Sequence, residues 1–161
     1  MFSKPYGKHF DAIIKAYKET PNYGEVLEVG CGSEPTTNGI RVDMIDQKGM
    51  RNFRVGNAYG LPFPDKSCDW IVCHHVLEHL NDPFNALVEF KRVTRVGLQL
   101  RVPWKFFAHG CPDHKCSFDS SWFRKMFPND FVTTYLELSF CHYSPIFLEL
   151  VVRVEWRQGL L

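Results

Sequence analysis

Residues 26–35 read VLEVGCGSEP. An apolar run passes through Glu28 to Val29 and then turns through Gly30 and Gly32, with Cys31 alone between them. The run predicts a buried strand over Glu25–Val29 that stops at a glycine-rich turn. Two glycines at this spacing let backbone come very close to something, because no side chain stands in the way. A nicotinamide dinucleotide, a phosphate or another nucleotide-like ligand are the candidates at such a turn.

Outward from the turn, apolar runs and helical patterns alternate. Upstream, Phe10, Ile13, Ile14 and Tyr17 fall at helical spacing and predict a helix over 8–19, closed by Pro21 and Gly24. Downstream, strands are predicted at Ile40–Met44, at 53–56, at Trp70–Cys73 and at Leu98–Val102. The stretch LPFPDKS, with two prolines, is a loop. Asp82 and Pro83 are an N-cap and a first helical residue, opening a helix through FNALVEFKRVT. Residues 103–117 form a polar loop rich in Cys and His, and Asp119–Phe127 a short helix. The segments FVTTYLELSF and IFLELVVRVEW read as two long paired strands. Alternating strands and helices with a terminal pair of strands predict an α/β sandwich on a mostly parallel sheet. In such sheets ligands gather outside the carboxyl ends of the strands, at the switch point beside the first strand, where the Gly30–Gly32 turn lies. The expected organisation is one domain over 1–161, with an N-terminal helical region at 1–24 and a core over 25–161.

Composition narrows the function. The 161 residues are 45% hydrophobic and 23% charged, with a formal net charge of +1, which does not indicate a nucleic-acid binder. No apolar run approaches the roughly 20 residues needed to span a bilayer. The first residues hold Lys4, Lys8 and Asp11 and no apolar stretch of a signal peptide, so a cytoplasmic setting with reduced thiols is expected for the six cysteines.

The dinucleotide fingerprint needs a third glycine where this chain has Pro35, and an acidic residue about 20 positions on, where Asp43 comes only 13 after Gly30. SEPTTNG holds one helical turn at most, so no full helix points its N-terminus at a phosphate. A ligand without phosphate fits better. Asp43 can accept two hydrogen bonds from a ribose diol, and Asn57 can take an amino group of a base through its carbonyl oxygen. Either residue alone equally suits a turn.

VLEVGCGSEP, IRVDM, GNAYGLPFPDKSCDWIVCHHVLEHLNDP and ALVEFKRV, in that order, resemble the class I S-adenosylmethionine-dependent methyltransferases. The likeness is greatest to the small members with LPF-D-S-D followed by H-V-L-E-H, and it spans roughly residues 8–125. The resemblance implies a Rossmann-like three-layer sandwich with a seven-stranded sheet, the last strand antiparallel. It implies S-adenosyl-L-methionine as cofactor and S-adenosyl-L-homocysteine as product, with no metal. By the same resemblance Glu28, Gly30, Cys31 and Gly32 approach the methionine part, Asp43 the ribose, and Met44, Asn57 and Ala58 the adenine. Cys73 and His75 would lie along the cofactor and face the acceptor.

Three departures stand out. The helix after the first motif is nearly absent, the usual Pro-Gly-Gly turn before TRVGLQLRVP is missing, and no large insertion forms a cap over the acceptor. The reaction centre is therefore expected to be open, or completed by a partner protein. CHHV stands where many base and glutamine methylators carry Asn/Asp-Pro-Pro-Tyr/Phe, which tilts the acceptor toward small molecules. The alternative is a non-catalytic cofactor-binding or partner-interaction module. In AHGCPDHKCSF, His109, Cys111, His114 and Cys116 permit a zinc reading, but their spacing fits no common zinc pattern. The Asp113–His114 pair resembles a family loop that lies over the active site, which makes His114 and His75 the candidate bases or acceptor-orienting groups. Trp104 and Phe107 either line an acceptor pocket or pack beneath this loop.

Overall fold

The computed structural model describes residues 26–33, 37, 39–105, 111–141 and 144–157. The helix expected over 8–19 lies outside them. Seven strands form one sheet: β1 (Val26–Val29), β2 (Ile40–Asp43), β3 (Phe53–Val55), β4 (Cys68–His74), β5 (Thr94–Pro103), β6 (Phe131–Cys141) and β7 (Ser144–Glu155). Their order is β3-β2-β1-β4-β5-β7-β6. The first five pair in parallel, and β7 runs antiparallel to both β5 and β6. This is the mostly parallel sheet with an antiparallel last strand that the sequence implied.

The order reverses at β1. The chain moves outward to β2 and β3, then returns across β1 to β4 and β5. The carboxyl ends of β1 and β4 thus meet where the Gly30 turn emerges, the switch point at which such sheets hold ligands. The middle strands are buried on both faces, as parallel strands are. Leu27, Ile71, Cys73, Leu98, Leu100, Val102, Val152 and Val154 form the core with Phe90 and Phe123 from the helices.

Helix α1 (Pro83–Val93) begins as its sequence dictates, with the Asp82 carboxylate accepting from the Asn85 N–H and Pro83 at the first position. Helix α2 (Ser120–Met126) is capped by Asp119, whose carboxylate accepts from the Trp122 N–H.

Strand ends differ from expectation by a residue at β2 and β3, and two strands start markedly earlier. β4 starts at Cys68, two residues before Trp70, and β5 starts at Thr94, four before Leu98. The cause at β5 is that α1 passes into strand with no loop. Thr94 is already extended, and its hydroxyl donates to the Phe90 carbonyl to close the helix. Gly97 lets β7 pack closely beside β5, since a Cβ there would stand 2.0 Å from the Val154 carbonyl oxygen of that strand.

Candidate functional site at the carboxyl ends of β1, β2 and β4

The turn after β1 is left-handed at both glycines, with φ of 73° at Gly30 and 53° at Gly32. Their roles differ. A Cβ on Gly30 would lie 2.1 Å from Val76 Cγ2, so the close approach there is made by the chain itself, from the segment after β4. A Cβ on Gly32 would meet nothing within 4 Å, which leaves that backbone open to a ligand. Two strands hold the turn. Gly30 N–H donates to the Val42 carbonyl at 2.7 Å, and Gly32 N–H donates to Asp43 Oδ2 at 2.9 Å.

Asp43 stands half-buried at the end of β2, and Ile45 N–H donates to its other oxygen at 3.1 Å. Each carboxylate oxygen has a second lone pair, so the group can still accept from a diol. Beside it, Met44 and Ile45 are 65% and 71% exposed, an apolar surface that a flat ring could cover. Asn57 is exposed, and its Oδ1 accepts from the Tyr59 N–H at 3.0 Å, the hydrogen bond of a side-chain-closed turn. Ala58 is buried.

Glu28 is buried, and its Oε2 accepts from both the N–H and the hydroxyl of Thr37, at 2.8 and 2.9 Å. The carboxylate therefore holds the loop after the turn. Cys31 is buried, its Sγ 3.9 Å from Met50 Sδ, and burial followed by the charges of Asp43 and Glu28 pushes its thiol up to about 11. Cys73 lies wholly within the hydrophobic core, where burial raises its thiol strongly. Only its backbone is left to line a ligand site.

His75 adopts φ of 55°, a left-handed conformation uncommon outside glycine. Its Nε2 stands 2.8 Å from Glu149 and its Nδ1 3.2 Å from Glu78. Burial works against the charge on the ring, but hydrogen bonds to Glu149 and Glu78, reinforced by their negative charges, win and raise it to about 9. At neutral pH His75 is an imidazolium held between two carboxylates, a donor and not a base.

The network runs on into the sheet. Arg101, fully buried on β5, donates to Glu149 at 2.8 Å and to Glu137. Glu137 and Glu149 sit directly opposite each other on β6 and β7, so Arg101 separates two like charges that the register forces together. The sequence reading missed Arg101, Glu137 and Glu149. Their signal was a charge inside each of three apolar strand runs, LQLRVP, LEL and LEL.

The loop after β5 is described from Cys111 onward; Phe107 and His109 lie outside the described residues. Trp104 packs against the core. Residues 113–116 are tied to a 3₁₀ turn at Leu77–His79. Lys115 and Cys116 N–H groups donate to the Glu78 carbonyl at 2.7 and 3.2 Å, and Cys116 Sγ stands 3.5 Å from the Leu80 carbonyl. The His114 ring meets His79 edge-on, with centroids 4.9 Å apart. His114 and His75 thus flank the same short segment, on either side of Glu78. Cys31, Cys73, Cys111 and Cys116 are free thiols.

A family model described as a methyltransferase domain matches residues 27–100. An uncharacterized methyltransferase of Schizosaccharomyces pombe is 56% identical over an alignment covering 53% of this chain and 40% of the relative, so the chain spans well under half of that protein's length. Among solved structures, an S-adenosylmethionine-dependent methyltransferase from Methanosarcina mazei superposes with a TM-score of 0.71 at 15% identity, covering 91% of this chain and 98% of its own. A chain from the Haloferax volcanii complex of the Trm112 methyltransferase activator with a candidate methyltransferase superposes at 0.67 and 14% identity, covering 96% and 92%. At these identities the structural likeness establishes the fold.

Proposed function

We propose that the chain binds S-adenosylmethionine at the Gly30–Gly32 turn and transfers its methyl group to a small-molecule acceptor. The carrying observation is the Asp43 carboxylate, fixed at the end of β2 by the Gly32 and Ile45 N–H groups beside open glycine backbone and exposed Met44 and Ile45. That combination fits a nucleoside without phosphates: an acceptor for a diol, a wall for a base, and no side chain at the turn. When bound, the cofactor supplies a methyl group activated on a positively charged sulfur. The chain's task is then to hold the acceptor in line, which is positioning more than proton transfer.

His75 suits that task as a charged, orienting group. With both nitrogens on carboxylates it does not remove a proton, so acceptors that are already nucleophilic at neutral pH are favoured. His114, across Glu78, is the second candidate to touch the acceptor. The same commitment of His75 is the observation that favours the alternative, a module that keeps the cofactor without catalysis. The net charge gives no support to nucleic acid as substrate, and no described helix is long and apolar enough to cross a membrane. The reading places the protein in the cytoplasm as one domain over 1–161. The Haloferax complex supports a partner protein that completes the open acceptor side.

Calorimetry with S-adenosylmethionine and S-adenosyl-L-homocysteine tests the cofactor, with Asp43→Ala expected to weaken binding at least tenfold. Absence of binding to folded protein at millimolar ligand overturns the proposal. Radiolabelled methyl transfer into fractionated small-molecule extract distinguishes enzyme from module: cofactor binding with no transfer supports the module.

A further inference from the structure

Glu78, His79 and His114 each bring one ligand-type atom within 4.8 Å of the other two. Two come from the 3₁₀ turn after β4 and the third from the loop after β5. Four hydrogen bonds between that loop and the turn hold them together: the Lys115 and Cys116 N–H groups donate to the Glu78 carbonyl, Cys116 Sγ to the Leu80 carbonyl, and His79 Nδ1 to the Asp113 carbonyl at 3.2 Å.

The last bond fixes the chemistry of His79. A carbonyl oxygen only accepts, so Nδ1 carries the proton and Nε2 of the neutral ring presents a lone pair. A carbonyl oxygen behind a histidine is the usual second support of a metal-binding imidazole. Glu78 supplies an independent pointer. Its side chain is 1% exposed, Oε1 is taken by His75, and Oε2 is buried with no hydrogen-bond partner. An unpaired buried carboxylate oxygen is costly unless a cation meets it.

We propose that Glu78, His79 and His114 bind a divalent first-row transition-metal ion through one carboxylate oxygen and two imidazole nitrogens. Mixed nitrogen and oxygen donors suit zinc and its neighbours more than calcium or magnesium. Ligand atoms about 2.1 Å from an ion stand roughly 3–4 Å apart, so the cluster closes slightly on binding. Three protein ligands leave a coordination position open to water or to an oxygen of a small molecule, unlike a closed structural site. The set differs from the Cys/His cluster of the loop, which the sequence permitted for zinc while the expectation was no metal: His114 is common to both, while Cys116 contacts Leu80. None of its ligands holds the glycine turn, and His114, the second candidate to touch the acceptor, places the ion on the acceptor side.

The test uses the full chain, stripped with chelator and titrated with zinc chloride by calorimetry, then with cobalt chloride by visible absorption. One zinc per chain is expected, weakened about tenfold or more by His114→Ala and by His79→Ala, with a cobalt spectrum lacking thiolate charge-transfer bands. These two variants are preferred to Glu78→Gln, whose buried contact with His75 also supports the fold. No zinc binding by folded protein at millimolar metal overturns the proposal. So does binding indifferent to both His→Ala changes, or a thiolate band placing the ion on Cys111 and Cys116. S-adenosylmethionine affinity measured on the same stripped protein reports separately on the cofactor.

Discussion

Gly30 and Gly32 look equivalent in sequence, and the structure separates them. Both need a left-handed backbone, which costs an ordinary residue roughly 1–2 kcal/mol. Gly30 also needs the absence of a Cβ, because Val76 fills that space. Gly30→Ala should therefore destabilise the fold by about 2–4 kcal/mol, combining strain with overpacking, and Gly32→Ala by about 1. Chemical denaturation of the two variants checks this. Adding Val76→Ala should rescue part of the Gly30→Ala loss and none of the Gly32→Ala loss, a coupling that a double-mutant cycle measures. The sequence announced the glycine pair because a backbone requirement is written in single residues. It did not announce what approaches, because Val76 is 46 positions further on, across β1 and β4.

At the scale of elements, the helix starts were the most legible features. Asp82-Pro83 and Asp119 are local signals, and each side chain caps as its type predicts. Asp119 does more than cap. Hydrogen bonds from Lys105, then from Ser121 and the Trp122 N–H, hold its carboxyl well below the usual carboxylate range. A depressed folded-state value means that its contribution is complete above the ordinary aspartate range, near pH 4, and is lost as pH falls through the lower folded value. Asp119→Ala should cost about 1 kcal/mol at pH 7, and the gap to the parent protein should narrow steadily below about pH 4. Denaturant melts from pH 7 to pH 2 measure it, and a constant gap would show that the charge contributes nothing. The start of β5 was not legible. An α-helix that becomes strand without a turn has no glycine or proline to mark it, and TRV suits either state.

Across the whole molecule, the least legible feature is the ionic chain from Glu78 through His75, Glu149 and Arg101 to Glu137. It joins the segment after β4 to β5, β7 and β6, and only the sheet order brings its members together. Arg101, Glu137 and Glu149 were each visible as a charge in an apolar run; their pairing was not. Removing one member of a buried pair leaves its partners uncompensated, so Arg101→Ala should destabilise by about 3–5 kcal/mol, with Glu137 and Glu149 left facing each other. Arg101→Ala combined with Glu137→Gln and Glu149→Gln should recover part of that loss, which thermal or denaturant unfolding of the triple variant checks. The family-like expectations fared differently. The seven-stranded, mostly parallel sheet emerged as expected, while the Glu28 carboxylate also holds Thr37 and the Cys31 and Cys73 side chains are buried.

The place of β7 carries one more consequence. This strand is the last described along the chain, yet it lies inside the sheet, between β5 and β6. While the polypeptide is being made, β5 emerges early and must wait for it, its apolar flank open and its hydrogen-bonding edge unmatched. A ribosome that stalls between Pro103 and Ser144 would expose a nascent chain with a sticky border, the kind of surface that recruits chaperones and seeds aggregates. Only the β6–β7 hairpin, arriving as a unit, seals it.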